Sequence, residues 1–151
     1  MVSNTAIEDR PTVLIIDDDL DVLHLLRLML ETEGFDAVLA PDGPTGLRRL
    51  ADTPPDVVLL DIMMPGMDGW QVLQALATHP HPPAVVVVSA KTADADRTRA
   101  FELGATGYLC KPFSPEDLVQ SIDDALEPEA AASEPTWRQL LHALGRPRFQ
   151  V

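Results

Sequence analysis

Apolar residues along the chain fall into short continuous runs, and these alternate with stretches in which apolar positions recur every three or four residues. Residues 12–17 (TVLIID) form the first run, rich in β-branched side chains and closed abruptly by Asp17, Asp18 and Asp19. Continuous rather than alternating apolarity predicts a strand buried on both faces, as in a parallel sheet. A helix follows, with Val22, Leu23, Leu26, Met29 and Leu30 on one side and Gly34 as its stop. Residues 35–40 read as a second strand, and Pro44 opens a second helix that runs through Leu50. The pattern then repeats. Residues 56–61 (DVVLLD) form another apolar strand closing on an acid, and Asp68 is placed to cap a helix carrying Val72, Leu73, Leu76 and Ala77. Residues 84–89 (AVVVVS) are the most strand-like stretch. A weak helix over 94–103 has Ala100 and Phe101 as its main apolar anchors, residues 106–110 make a fifth strand, and Ser114-Pro115 starts a last helix. Five βα units in strict alternation predict a doubly wound α/β sandwich. Residues 1–10 form an arm, 11–127 the domain, 128–135 (PEAAASEP) a linker and 136–151 a tail.

Composition narrows this picture. The chain has 151 residues, of which 46% are apolar and 23% charged, a globular balance rather than a disordered one. No apolar run reaches the roughly 20 residues of a membrane span. The first residues are polar and include Glu8 and Asp9, unlike a secretory signal, so a cytoplasmic location is expected. Cys110 is the single cysteine, which excludes an internal disulfide and a thiolate metal cluster. The formal charge is −13, unevenly placed: residues 1–127 hold 22 acids against 8 Lys or Arg, and residues 128–151 hold 2 acids against 3 Arg. A body this acidic repels phosphate backbones, so no direct nucleic-acid binding is expected.

In open α/β sheets ligands bind beyond the carboxyl ends of the strands. Those ends here carry Asp17 and Asp18, Asp61, Ser89 and Lys111. One acid after a strand is ordinarily a turn or a helix cap, and Asp19 fits that role. Three acids sharing a crevice are a different matter, because crowded like charges raise a carboxylate pKa unless a cation relieves them. A hard divalent ion such as Mg²⁺ suits such a set. A carboxylate beside it can attack a phosphoryl donor and form an acyl phosphate, with positive charge meeting the transferred oxygens. Asp61 is the best nucleophile, standing between the acid pair and the Ser89/Lys111 side.

The motifs IIDD (15–18), LLDIMMPGMDG (59–69), VSAK (88–91) and GATGYLCKPF (104–113) occur in this order. Together they resemble a response-regulator receiver domain of bacterial two-component signalling, of the stand-alone chemotaxis-regulator kind, over roughly residues 11–127. The resemblance implies a flavodoxin-like five-stranded parallel sheet in the order 2-1-3-4-5. It implies that Asp61 takes a phosphoryl group from the phosphohistidine of a sensor histidine kinase or phosphotransfer protein. Asp18 and Asp61 would bind Mg²⁺ directly, Asp17 mainly through water, and the Met63 backbone carbonyl would complete the protein ligands. Ser89 and Lys111 would hold the phosphoryl oxygens, Ser89 and Tyr108 would form the switch pair, and the Lys111–Pro112 bond would be cis. Such a domain catalyses only its own aspartyl phosphorylation and dephosphorylation. The weakly anchored helix over 94–103 is the element such a switch would bias.

Other readings fit less well. A haloacid-dehalogenase-type phosphatase needs a second Asp two residues after its nucleophile, where this chain has Met63. A flavodoxin-like flavin binder wants a Ser/Thr/Gly-rich loop after the first strand, where this chain is acidic. A phosphorylation-independent binding module would show loss of an acid or of the lysine, and none is lost. His24, His79, His81 and His142 read as surface or boundary residues, and Cys110 as a small buried apolar one. Met63, Met64 and Met67 read as loop and packing residues, and Lys91 as solvated. Lys91 and Met63 could also shape water access to an acyl phosphate.

No recognisable effector domain is expected in residues 128–151. Residues 133–145 (SEPTWRQLLHALG) place Trp137, Leu140, Leu141 and Leu144 at helical spacing, between Ser133 as cap and Gly145 as stop. This stripe either folds back on the domain or meets a partner protein or a second copy. Residues 119–124 (VQSIDD) lack the basic side chains with which receivers joined to winged-helix DNA-binding domains pair across a dimer, so that mode of dimerisation is not expected.

Overall fold

A computed structural model describes residues 10–127. Strands β1 (Thr12–Ile16), β2 (Asp36–Ala40), β3 (Val57–Asp61), β4 (Ala84–Ser89) and β5 (Gly107–Cys110) alternate with helices α1 (Leu20–Thr32), α2 (Gly43–Asp52), α3 (Gly69–Ala77), α4 (Asp94–Glu102) and α5 (Pro115–Leu126). The strands pair in parallel in the order β2-β1-β3-β4-β5, as the resemblance implied.

The continuous apolar runs split by residue parity onto the two faces of the sheet. Leu14, Ile16, Val58, Leu60, Val85 and Val87 pack with Leu50, Trp70, Leu73, Leu76 and Ala100, so α2, α3 and α4 cover one face. Val13, Ile15, Val57, Leu59, Val86 and Val88 pack with Leu23, Leu26, Leu30, Leu118 and Ile122, so α1 and α5 cover the other. A strand sandwiched this way has no polar face to show, which is why the sequence reads as unbroken runs.

Helix ends follow the expected chemistry. Asp19 caps α1 by accepting from the amides of Asp21 and Val22. Gly34, at φ +93°, ends the same helix, with its amide on the Glu31 carbonyl and that of Phe35 on Leu30. Asp68 with Gln71, and Ser114 with Asp117, form capping boxes at α3 and α5. Ala77, expected on the buried side of α3, is exposed at the end of the helix. The residues expected to form the arm, linker and tail, with Ser133, Trp137 and His142, lie outside the described residues.

Helix α4 departs from expectation in an informative way. Phe101 was an expected anchor but is 49% exposed, leaving Ala100 as the buried residue of the helix. No side chain caps its start. Arginines hold it instead: the Arg99 guanidinium lies 4.2 Å from the Trp70 ring centre, and Arg97 lies 5.4 Å from that of Tyr108.

Candidate functional site

Strand register builds the site. Ile16 of β1 pairs with Leu60 of β3, so the next residues, Asp17 and Asp61, emerge side by side at the carboxyl end of the sheet. Asp61 pairs with Val88, which puts Ser89 one step further along β4, and Ser89 pairs with Cys110, the residue before Lys111. The Lys111 amide donates to the Ser89 carbonyl at 2.8 Å, tying the ends of β4 and β5 together. The Lys111–Pro112 bond is cis.

The side chains converge. Asp17, Asp18 and Asp61 each offer a carboxylate oxygen, and these oxygens lie within 4.8 Å of one another. Asp17 and Asp61 are buried and Asp18 is exposed. Lys111 Nζ stands 3.3 Å from Asp17 Oδ2 and 4.0 Å from Asp61 Oδ1. Asp17 Oδ1 also accepts from the Asp19 amide at 2.9 Å, and Asp61 Oδ1 from the Met63 amide at 3.2 Å. One ammonium cannot balance three carboxylates. Burial and the neighbouring Asp17 push the Asp61 carboxyl up to about 6, with Lys111 and the Met63 amide opposing the shift.

These residues fit a divalent cation on their own chemistry. The donors are hard carboxylate oxygens, two set deep and one at the mouth, and the excess negative charge is what a dication neutralises. Met63 brings its amide to Asp61 while its side chain is 60% exposed. Met64 is buried and Met67 packs against the core, as loop and packing residues should.

On the β4–β5 side, Ser89 is fully buried and its Oγ accepts from the Lys91 amide at 3.1 Å. The Tyr108 hydroxyl donates to the Lys91 carbonyl at 2.8 Å. Burial raises the Tyr108 pKa, and hydrogen bonding with Ser89 partly offsets this. Two expectations need correcting here. Lys91 is only partly exposed, and its main chain bridges Ser89 and Tyr108. Cys110 is half-buried rather than buried, because its edge-strand side chain meets Arg97 Nη2 at 3.0 Å. Sequence reasoning missed the main-chain role of Lys91 and the contacts of Arg97: backbone amides and carbonyls leave no residue signature, and Arg97 sits in a helix without apolar periodicity. His24, His79 and His81 are exposed, as expected, and none belongs to the acidic cluster.

The family model described as "Response regulator receiver domain" matches residues 13–123. The chain belongs to the response-regulator receiver family. The DNA-binding response regulator MtrA of Mycolicibacterium paratuberculosis is 38% identical over 113 residues, covering 75% of this chain and 50% of MtrA. The transcriptional regulatory protein PrrA of Mycobacterium leprae is 40% identical over 123 residues, covering 82% of this chain and 53% of PrrA. This chain therefore spans about half the length of the curated relatives it matches. Among solved structures, the Vibrio cholerae chemotaxis protein CheY4 superposes with a TM-score of 0.72 at 26% identity, covering 78% of this chain and 99% of CheY4. The receiver is a phosphorylation-activated signalling switch of a two-component system and not a conventional enzyme. Among the described residues, no helix is long and apolar enough to cross a membrane.

Proposed function

We propose that Asp61 is the phosphoacceptor of this receiver, charged by the phosphohistidine of a sensor histidine kinase or phosphotransfer protein in a Mg²⁺-dependent reaction. The observation that carries this is the convergence of Asp17, Asp18 and Lys111 on Asp61 at the end of the central strand. One Asp61 carboxylate oxygen attacks phosphorus and forms the acyl phosphate. The bond from phosphorus to the donor imidazole nitrogen breaks, and the imidazole leaves with the bonding pair and takes up a proton. Lys111 meets the negative charge on the transferred oxygens, and the Ser89 hydroxyl donates a hydrogen bond to one of them. Asp18, Asp61 and the Met63 carbonyl would hold Mg²⁺ directly and Asp17 through water, where the ion supplies further positive charge to the phosphoryl oxygens. Hydrolysis of the acyl phosphate, with exposed Met63 and partly exposed Lys91 shaping water access, resets the switch.

The readout runs through Ser89 and Tyr108. When Ser89 turns to the phosphoryl group, Lys91 loses its amide acceptor, and the Tyr108 ring turns inward. Tyr108 is also the platform for Arg97, so this motion loosens α4, which has little apolar burial to hold it. The changed surface meets a downstream protein or a second copy of the chain in the cytoplasm rather than nucleic acid. Residues 11–127 act as the receiver, 1–10 as an arm, 128–135 as a linker and 136–151 as the tail. Incubation with Mg²⁺ and acetyl phosphate should add the mass of one phosphate. Asp61→Asn or omission of the metal should abolish the gain, and a gain that survives in Asp61→Asn refutes the assignment.

A further inference from the structure

The loop that follows β3 buries one neighbour of Met63 on each side. Ile62 and Met64 are both buried, and the Ile62 carbonyl accepts from the amides of Met64 and Gly69 at 3.2 and 2.9 Å. These bonds close the loop on itself and leave Met63, between the buried pair, facing outward at 60% exposure. The Met63 amide donates to Asp61 Oδ1, so the same residue is tied to the carboxylate at the centre of the site.

This outward position singles Met63 out chemically. Leu20, Leu25, Leu28 and Phe101 are the other exposed large hydrophobics among the described residues, and none contains an atom that mild oxidants attack. Met29 and Met67 pack against the core and Met64 is buried, so their sulfur atoms are shielded. Among the described residues, the one fully exposed thioether therefore stands two residues from Asp61.

We propose that Met63 is an oxidation site through which peroxide shortens the life of the phosphorylated state, an inference that rests on Asp61 being the phosphoacceptor. The Met63 sulfur lone pair attacks one oxygen of hydrogen peroxide. The S–O bond forms as the O–O bond breaks, and the second oxygen leaves as water with both peroxide protons. Sulfur is oxidised and the peroxide reduced by the same electron pair, giving methionine sulfoxide. A thioether accepts hydrogen bonds weakly, whereas the sulfoxide oxygen is polar and accepts them well. Beside the acyl phosphate it retains water, the nucleophile of the hydrolysis that resets the switch. One net hydrogen bond to that water corresponds to roughly a fivefold gain in rate. Methionine sulfoxide reductases return the thioether, so the effect is reversible.

Brief treatment of the full chain with hydrogen peroxide should add oxygen at Met63 before Met29, Met64 or Met67, read by peptide mass spectrometry. Treated and untreated proteins are then labelled with Mg²⁺ and acetyl phosphate, freed of the donor and followed by intact mass. The oxidised protein should lose its phosphate about fivefold faster, and methionine sulfoxide reductase with dithiothreitol should restore the untreated rate. In Met63→Leu, peroxide should leave the rate at that variant's own untreated value. Cys110 is the other oxidisable side chain beside the site, so acceleration that survives in Met63→Leu overturns the proposal. Oxidation spread evenly over the methionines also overturns it, as do equal lifetimes before and after oxidation. An untreated protein that takes no phosphate refutes the phosphoacceptor reading itself, and this proposal with it.

Discussion

Replacing Asp61 by Asn should make the metal-free receiver more stable at neutral pH, although it destroys the proposed function. In the folded protein the Asp61 carboxyl titrates at about 6, against an ordinary value of 3.8, because burial and Asp17 outweigh Lys111. A raised carboxyl favours the neutral form. Its contribution to stability is therefore fully present below the ordinary value and is lost as pH rises through about 6. A shift of about 2 units at about 1.4 kcal/mol each gives at most about 3 kcal/mol, and solvent relaxation brings this to about 2. Asn keeps an oxygen for the Met63 amide, and Lys111 keeps Asp17 at 3.3 Å, so little is lost in exchange. Urea unfolding in EDTA should show the variant about 2 kcal/mol more stable near pH 8, or roughly 8 °C in Tm, with the gap closing near pH 4. Adding Mg²⁺ should raise the wild-type midpoint more than the variant's and narrow the gap. An Asn variant no more stable than wild type near pH 8 would refute the electrostatic account of the site.

Arg99→Ala should cost about 1 kcal/mol by removing the contact with Trp70, and raise amide exchange across Asp94–Glu102 about fivefold while leaving β1 and β3 unchanged; uniform exchange would contradict the arginine tether. Gly69→Ala should cost more than about 2 kcal/mol in urea unfolding, because the added methyl meets the Asp61 carbonyl oxygen and the Ile62 Cα, both main chain that cannot turn aside. The same variant should slow acetyl-phosphate labelling, since that main chain carries Asp61. Ser114→Ala should lower stability by about 1 kcal/mol through loss of the α5 capping box, with labelling unchanged.

The sheet was legible in the sequence because each central strand is apolar on both faces, and a run such as AVVVVS has no alternative use. Strand ends were equally legible: Asp17, Asp61, Ser89 and Lys111 each follow such a run, and register alone brings the two acids side by side. The order 2-1-3-4-5 came from the family resemblance, since alternation does not specify which strand lies at the centre. What stayed hidden was held by less directional signals. Phe101 looked like an anchor, yet α4 is seated by Ala100 and by two guanidiniums lying over Tyr108 and Trp70. The bridging role of Lys91 belongs to its peptide groups, which every residue has.

The claim on which the rest depends is that the phosphoryl group sits on the Asp61 carboxylate. Sodium borohydride reduces an acyl phosphate to the alcohol and so marks the carbon that carried it. After Mg²⁺-dependent labelling and reduction, peptide mass spectrometry should find homoserine in place of aspartate at position 61 and nowhere else. Homoserine at position 17 or 18, or a phosphate that resists reduction because it sits on serine or histidine, would contradict the account.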